Sequence, residues 1–197
     1  MAGTESGLET ERCGRIDGIG RYVLRDEWTW KRVDNKMAIQ GIEQPEILQI
    51  DDLIRLRKYD GIYDFAFEWY QDEETVYLVD GVRKPYSQET LKCMYEYLNK
   101  QGELYFIEVL VGEGYRPIGD VCFWKDDMPI VIGDRAYRGQ GIGKKVVGFF
   151  IERGKSLGYE TLRVNEIYDF NTASRRCFES FGFKAYEKTE KGSRYEL

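Results

Sequence analysis

From residue 46 onward the chain alternates between two hydrophobic rhythms. Residues 46–57 set Ile47, Ile50, Leu53 and Leu56 among polar neighbours, with a slip at Asp51-Asp52 that predicts one bulged strand. Residues 63–71 read as a short helix, and Asp80-Gly81 as a turn. Ser87 is placed to cap a helix whose apolar stripe is Leu91, Met94, Tyr95 and Leu98. Strands follow at 103–111, 118–124 and 128–133, divided by Gly112-Glu113-Gly114 and Asp126-Asp127, which predicts an antiparallel meander. A long helix over 140–157 carries Ile142, Val146, Phe149, Phe150 and Leu157 at helical spacing, and Gly158 ends it. Residues 161–167 read as a strand. Asn171 can cap a helix running to Phe181, which Gly182 closes, and strands at 183–187 and 193–197 finish the chain.

Upstream the rhythm is weaker. Residues 1–15 are small, polar and charged, a composition that predicts disorder. Tyr22, Val23 and Leu24, then Trp28 and Trp30, read as short strands around a turn, either an added hairpin or an interaction arm. The expected organisation is an extension over 1–45 and a domain over 46–197. A length of 197 residues with 42% hydrophobic and 32% charged residues suits one domain with an appendage.

Composition narrows the chemistry. A net charge of −6 argues against a general nucleic-acid binder and is compatible with a cationic small substrate. The absence of His removes His-based triads and His metal ligands. Cys13, Cys93, Cys122 and Cys177 are scattered without a C-x-x-C pair, so no metal site is expected and the set reads as reduced thiols of a cytoplasmic protein. No apolar run reaches membrane-spanning length, and no signal-type apolar segment opens the chain.

The densest chemical signal is Arg138-Gly139-Gln140-Gly141-Ile142-Gly143, where three glycines in five residues open the long helix. Unpaired N–H groups at a helix start attract anions, and glycine lets phosphate oxygens approach the backbone. Arg138, Lys144 and Lys145 oppose the helix dipole there, costing about 0.3–1 kcal/mol each unless a polyanion binds. A Walker loop does not fit: the glycine spacing is one residue short, and Lys145 stands where Ser or Thr is needed. A Rossmann loop would put its third glycine at Lys144, and although Glu166 lies at the ribose-binding distance, the preceding meander is the wrong context.

The remaining pattern, R-x-x-G-x-G, resembles the acyl-CoA loop of the GCN5-related N-acetyltransferase (GNAT) superfamily. A second block agrees: Asn171-Thr172-Ala173-Ser174 followed by Cys177-Phe178-Glu179-Ser180-Phe181-Gly182-Phe183 is similar to N-x-x-A/S … Y-E-x-x-G-F. Trp69-Tyr70-Gln71-Asp72 and Ile118-Gly119-Asp120 resemble features of the branch that acetylates ribosomal proteins and small amines. The resemblance covers residues 46–197. It implies an α+β fold (an α/β/α sandwich) with a mixed, mostly antiparallel twisted sheet and a splayed central strand pair. It implies acetyl-CoA as co-substrate, no metal, and direct attack of an amine on the thioester. The main chain of Ile130, Val131 and Ile132, the loop Arg138 to Gly143, Asn171 and Phe178 would hold the cofactor. Glu166 would serve as base, with Asp120 and Asp169 as weaker candidates. Phe178 stands where the family has its acidic Tyr, leaving the thiolate to water, Tyr168 or Tyr186. The expected acceptor is a small cationic amine or antibiotic; a protein N-terminal amine, or a catalytically weak acyl-CoA-binding module, is the alternative. A homodimer through terminal strands is left open.

Overall fold

In the computed structural model, which describes residues 15–16, 22–23 and 39–197, the segment 46–57 forms two strands rather than one. The Asp51 carboxylate accepts the N–H groups of Leu53 and Ile54, both at 2.9 Å, so the slip is a side-chain-locked turn and not a bulge. The chain divides by contacts into two units, Met1–Asp34 and Asn35–Leu197. In the first, β1 (Arg15–Ile16) and β2 (Tyr22–Val23) pair antiparallel; the expected disordered start and the Trp28 and Trp30 segment lie outside the described residues.

The second unit is a mixed α+β domain. β3 (Ile47–Gln49), β4 (Ile54–Lys58), β5 (Glu103–Val111), β6 (Gly114–Phe123) and β7 (Ile130–Ile132) form an antiparallel sheet in that order. A second antiparallel sheet has the order β8 (Arg163–Tyr168), β10 (Gly192–Glu196), β9 (Lys184–Lys188). β5 is the central strand, its first seven residues buried. Its alternating side chains feed two helical layers. Tyr105 and Ile107 face helix α3 (Ile142–Ser156), whose Phe150 stacks on Phe123 at 4.8 Å between centroids. Phe106 faces helix α2 (Gln88–Gln101), whose Tyr95 meets it edge-on at 5.6 Å. Ser87 caps α2 as its sequence predicts, accepting the Thr90 N–H at 3.0 Å. α4 (Thr172–Glu179) packs with α3.

Residues 63–71 form a 3₁₀ helix, Asp64–Gln71, and a further helix follows that the pattern did not predict, α1 (Glu73–Asp80). Its signal was present: Asp72 caps it through the Glu74 N–H, and Gly81 ends it at φ 71°. Its apolar residues, Val76, Tyr77, Leu78 and Val79, form one unbroken run and so show no helical period. Of the cysteines, Cys122 and Cys177 are free thiols. Cys93 is disulfide-bonded, so the reading of all four as reduced thiols is corrected there.

Gly119 governs how closely β7 lies on β6. A Cβ at this position would stand 2.1 Å from the Val131 carbonyl oxygen. Gly119→Ala is expected to destabilise the domain by about 2–3 kcal/mol through overpacking, read as a lowered urea midpoint. An unchanged midpoint would show that β7 yields without cost.

Candidate functional site

The site begins with a ladder that is not there. Among the described residues β7 and β8 do not pair, and the two sheets meet only at one end. There Arg163 N–H donates to the Lys125 carbonyl at 2.9 Å, and Asn165 N–H to Asp127 Oδ1 at 3.0 Å. The same Asp127 oxygen accepts the Met128 N–H at 2.9 Å. This carboxylate is the hinge pin of a cleft that opens toward the other ends of β7 and β8. Burial pushes its carboxyl up to about 6, against the two N–H bonds that favour the charged form.

The arms of the cleft expose backbone in a definite pattern. Cys122 N–H donates to the Pro129 carbonyl at 3.0 Å, so Asp120 and Val131 make the next exchange in the ladder. The peptide groups of Ile130 and Ile132 therefore face the cleft, whereas those of Val131, expected to share that role, are spent on β6. The Ile132 carbonyl accepts Arg138 Nε at 2.8 Å, leaving Ile130 N–H and C=O and Ile132 N–H facing the opening. Across the cleft, β8 carries one extra residue against β10, since Tyr195 faces Val164 while Ser193 faces Ile167. This bulge at Asn165-Glu166 sends both Val164 and Ile167 into the core. Half-buried Glu166 and the buried Tyr168 project to the opposite face, that of α1. Glu166 Oε1 accepts the Thr189 hydroxyl from the β9–β10 turn.

The glycine turn lies beside the β7 arm. Gly139 and Gly141 have φ of 72° and 79°, and a Cβ at either would meet nothing within 4 Å, so the glycines serve backbone conformation at an open surface. Helix α3 starts with no side-chain cap, and its first bond, Lys145 N–H to Gly141 O, leaves the N–H groups of Ile142, Gly143 and Lys144 without intrahelical partners. The flanking cations are less available than their charges suggest. Lys145 pairs with Asp51 at 2.6 Å. Arg138 turns inward to Ile132 O, Gly133 O and Thr75 Oγ1 at 2.8, 3.1 and 2.6 Å. Gln140 folds its amide back to Ala136 O at 2.6 Å.

Two other expected contacts have different surroundings. Asn171 caps α4 by accepting the Ser174 N–H at 3.1 Å, and its amide donates to Leu78 O at 3.2 Å. Both ends of its side chain are thus employed within the fold. Phe178 is 1% exposed and sits edge-on to Phe183 in the core, so its ring offers no surface to a ligand. Asp169 is paired with Lys188 at 2.7 Å. Asp120 is buried, with Tyr70 and Tyr95 hydroxyls on its Oδ2 at 3.0 and 2.9 Å. Burial pushes its carboxyl up to about 6, opposed by those bonds. Asp80 is likewise pushed up to about 6 by burial, with the Tyr86 hydroxyl bound to it. Asp80, Tyr86, Thr75 and Asp127 escaped the sequence reading as site residues because nothing in their spacing marks them; Asp80 and Asp127 had a signal only as halves of turn pairs. Among the described residues no group of three or more metal-ligating side chains is assembled, and no helix is long and apolar enough to cross a membrane.

Comparison with known proteins assigns this architecture. The chain belongs to the acetyltransferase (GNAT) family, whose model matches residues 63–183. Its fold matches that of a domain from Methanocaldococcus jannaschii DSM 2661 with a TM-score of 0.64 and 22% identity, over 74% of this chain and 99% of that one. An acetyltransferase (GNAT family) from Bacillus anthracis matches at 0.59 and 17% identity, over 74% and 93%. The aminoglycoside acetyltransferase AAC(6')-Ib, solved in complex with coenzyme A, matches at 0.58 and 15% identity, over 73% and 94%. At such identities the likeness is one of fold. No curated protein sequence matches the chain.

The Asp127 pin makes stability depend on pH. Its folded-state pKa lies above its ordinary 3.8, so its contribution is present at low pH and lost as the pH rises through about 6. Asp127→Asn keeps an oxygen acceptor without the charge. Relative to the natural protein, this variant is expected to gain on the order of 2 kcal/mol between about pH 4 and pH 7, read from urea midpoints. A pH-independent difference would contradict a buried carboxylate.

Proposed function

We propose that this acetyltransferase uses acetyl-CoA to acetylate a primary amine, with a small cationic amine as acceptor. The observation that carries the reading is the uncapped, glycine-led start of α3 beside the unpaired edge of β7. These features fit the two halves of the co-substrate. The N–H groups from Gly139 to Lys144 suit a diphosphate. The outward peptide groups of Ile130 and Ile132 suit the amides of a pantetheine arm, which would take the place of a strand between β7 and β8. Acetyl-CoA supplies an acyl group already activated as a thioester. The coenzyme A complex of the aminoglycoside enzyme is in accord with this ligand class.

In this reading the chain's own groups handle protons and charge. Glu166, held by Thr189 on the α1 side of β8, takes the proton from the acceptor ammonium, directly or through water. Asp80 and Asp120, with pKa values near 6, are largely ionised at neutral pH and give the α1–α2 side a negative field that favours a cation. With Phe178 in the core, protonation of the leaving thiolate falls to water or to Tyr168, which shares the face of Glu166.

Titration calorimetry with acetyl-CoA is the direct test. Binding in the micromolar range is expected, weakened about tenfold in Gly141→Val, because a β-branched residue is costly at φ 79°. No binding at high micromolar concentration would overturn the reading. Glu166→Gln is expected to lower kcat about 100-fold on any accepted amine, with acetyl-CoA affinity unchanged. An unaltered kcat would remove Glu166 from the role of base.

A further inference from the structure

Helix α1 lies across the mouth of the cleft, and its two ends are tied to opposite arms. At its start, Asp72 receives Arg135 in a two-pronged bond, Nε at 2.8 Å and Nη2 at 2.6 Å. Thr75, only 1% exposed, donates its hydroxyl to Asp72 Oδ2 at 2.8 Å and accepts Arg138 Nη2 at 2.6 Å. Through Arg138 this end is joined to the carbonyls of Ile132 and Gly133, the end of the β7 arm. The Trp69 ring lies against Gly133 so closely that a Cβ there would come within 2.3 Å of it. At the far end of α1, the Leu78 carbonyl accepts the Asn171 amide at 3.2 Å. The Tyr77 ring stacks on Phe170 with centroids 4.1 Å apart, and Gly81 sits against the Tyr168 ring. These partners belong to the end of β8 and the start of α4.

Lengths agree with a crossbar. A gap wide enough to admit one added strand between β7 and β8 would measure about 10 Å, twice the usual strand spacing. The eight residues of α1 span about 12 Å. A helix of two turns does not hold its own position in water. Its place is set by the ties at its ends together with the buried Val76 side chain, so loosening the ties is expected to shift the helix within the folded domain.

We propose that α1 is a crossbar that closes the acyl end of the cleft and limits the length of acyl chain accepted, with Thr75, Arg138, Phe170 and Asn171 as positioning residues acting through it. This rests on the acyl-CoA reading above. It gives Arg138 and Asn171 a role their side chains perform inside the fold. An acyl group lying between Ile132 and Glu166 would extend toward the underside of α1, so each added methylene meets the bar.

The test needs no acceptor amine. Affinities for CoA, acetyl-CoA and hexanoyl-CoA are measured by calorimetry. The natural protein is expected to bind hexanoyl-CoA at least about tenfold more weakly than acetyl-CoA. The double variant Thr75→Val, Phe170→Ala cuts one tie at each end and should narrow that ratio to below about threefold, with affinity for CoA itself changed by less than about threefold. Thr75→Ser preserves both hydroxyl bonds and should retain the natural ratio; Thr75→Val alone, expected to narrow it partly, replaces the double variant if that does not fold. An unchanged ratio in the folded variant, equal weakening toward all three ligands, or no discrimination by the natural protein overturns the crossbar. If the natural protein binds none of the three, the acyl-CoA reading falls, and the crossbar with it.

Discussion

The domain depends on an interruption. A twisted antiparallel sheet gains by pairing every strand, yet β7 and β8 are held apart and share only a junction at Lys125 and Asp127. An unpaired interior edge costs buried peptide groups their partners. The fold bears this because one side-chain oxygen stands in for the missing neighbour at the vertex and because α1 braces the mouth. Much else follows from keeping the gap open, including Gly119 beneath β7, the bulge in β8 and the inward turn of Arg138.

The two helical layers divide the work. The α3–α4 side is mainly apolar packing, with Phe123, Phe150, Phe178 and Phe183 in one cluster that anchors both sheets, and its polar exception is the buried Glu103 carboxylate paired with Arg153 of α3. The α1–α2 side is polar and aromatic. Tyr70 and Tyr95 share Asp120, Tyr86 stacks on Tyr70 at 5.0 Å, and Tyr86 reaches Asp80. Buried carboxylates on that side stabilise little in net terms, because desolvation offsets their hydrogen bonds. Under the proposed function, their charge would favour a cationic acceptor.

Legibility followed locality. Helices α2 and α3 were readable from apolar stripes, caps and terminal glycines, and the meander from its turns, because each signal lies within a dozen residues. The family blocks at Arg138 to Gly143 and Asn171 to Phe183 were readable for the same reason. What escaped depended on partners far along the chain. The hairpin at Asp51 looked like a bulge because a side chain, not a glycine, makes the turn. Arg138 looked like a phosphate ligand because Thr75 and the Ile132 carbonyl are 63 and 6 residues away. Phe178 carried the family position of a site residue, and only packing against Phe183 reveals a core ring. Val131 differs from its two neighbours solely by ladder parity, which a strand's sequence does not encode.

The arrangement around the glycine turn has a consequence for how a polyanion is held. Lys145 is neutralised by Asp51, and Arg138 is committed to carbonyls and Thr75. The grip that remains comes from oriented peptide dipoles at close range and from Lys144, whose ammonium lies 5.6 Å from the Phe181 ring centroid. Mobile ions weaken attraction between exposed charges over distances near the Debye length of about 10 Å at 0.1 M salt, and weaken short, directional contacts much less. For a ligand held there, salt would weaken the attraction of Lys144 and of the helix dipole more than the short N–H contacts, so selectivity would rest more on where the N–H groups point than on how much charge surrounds them.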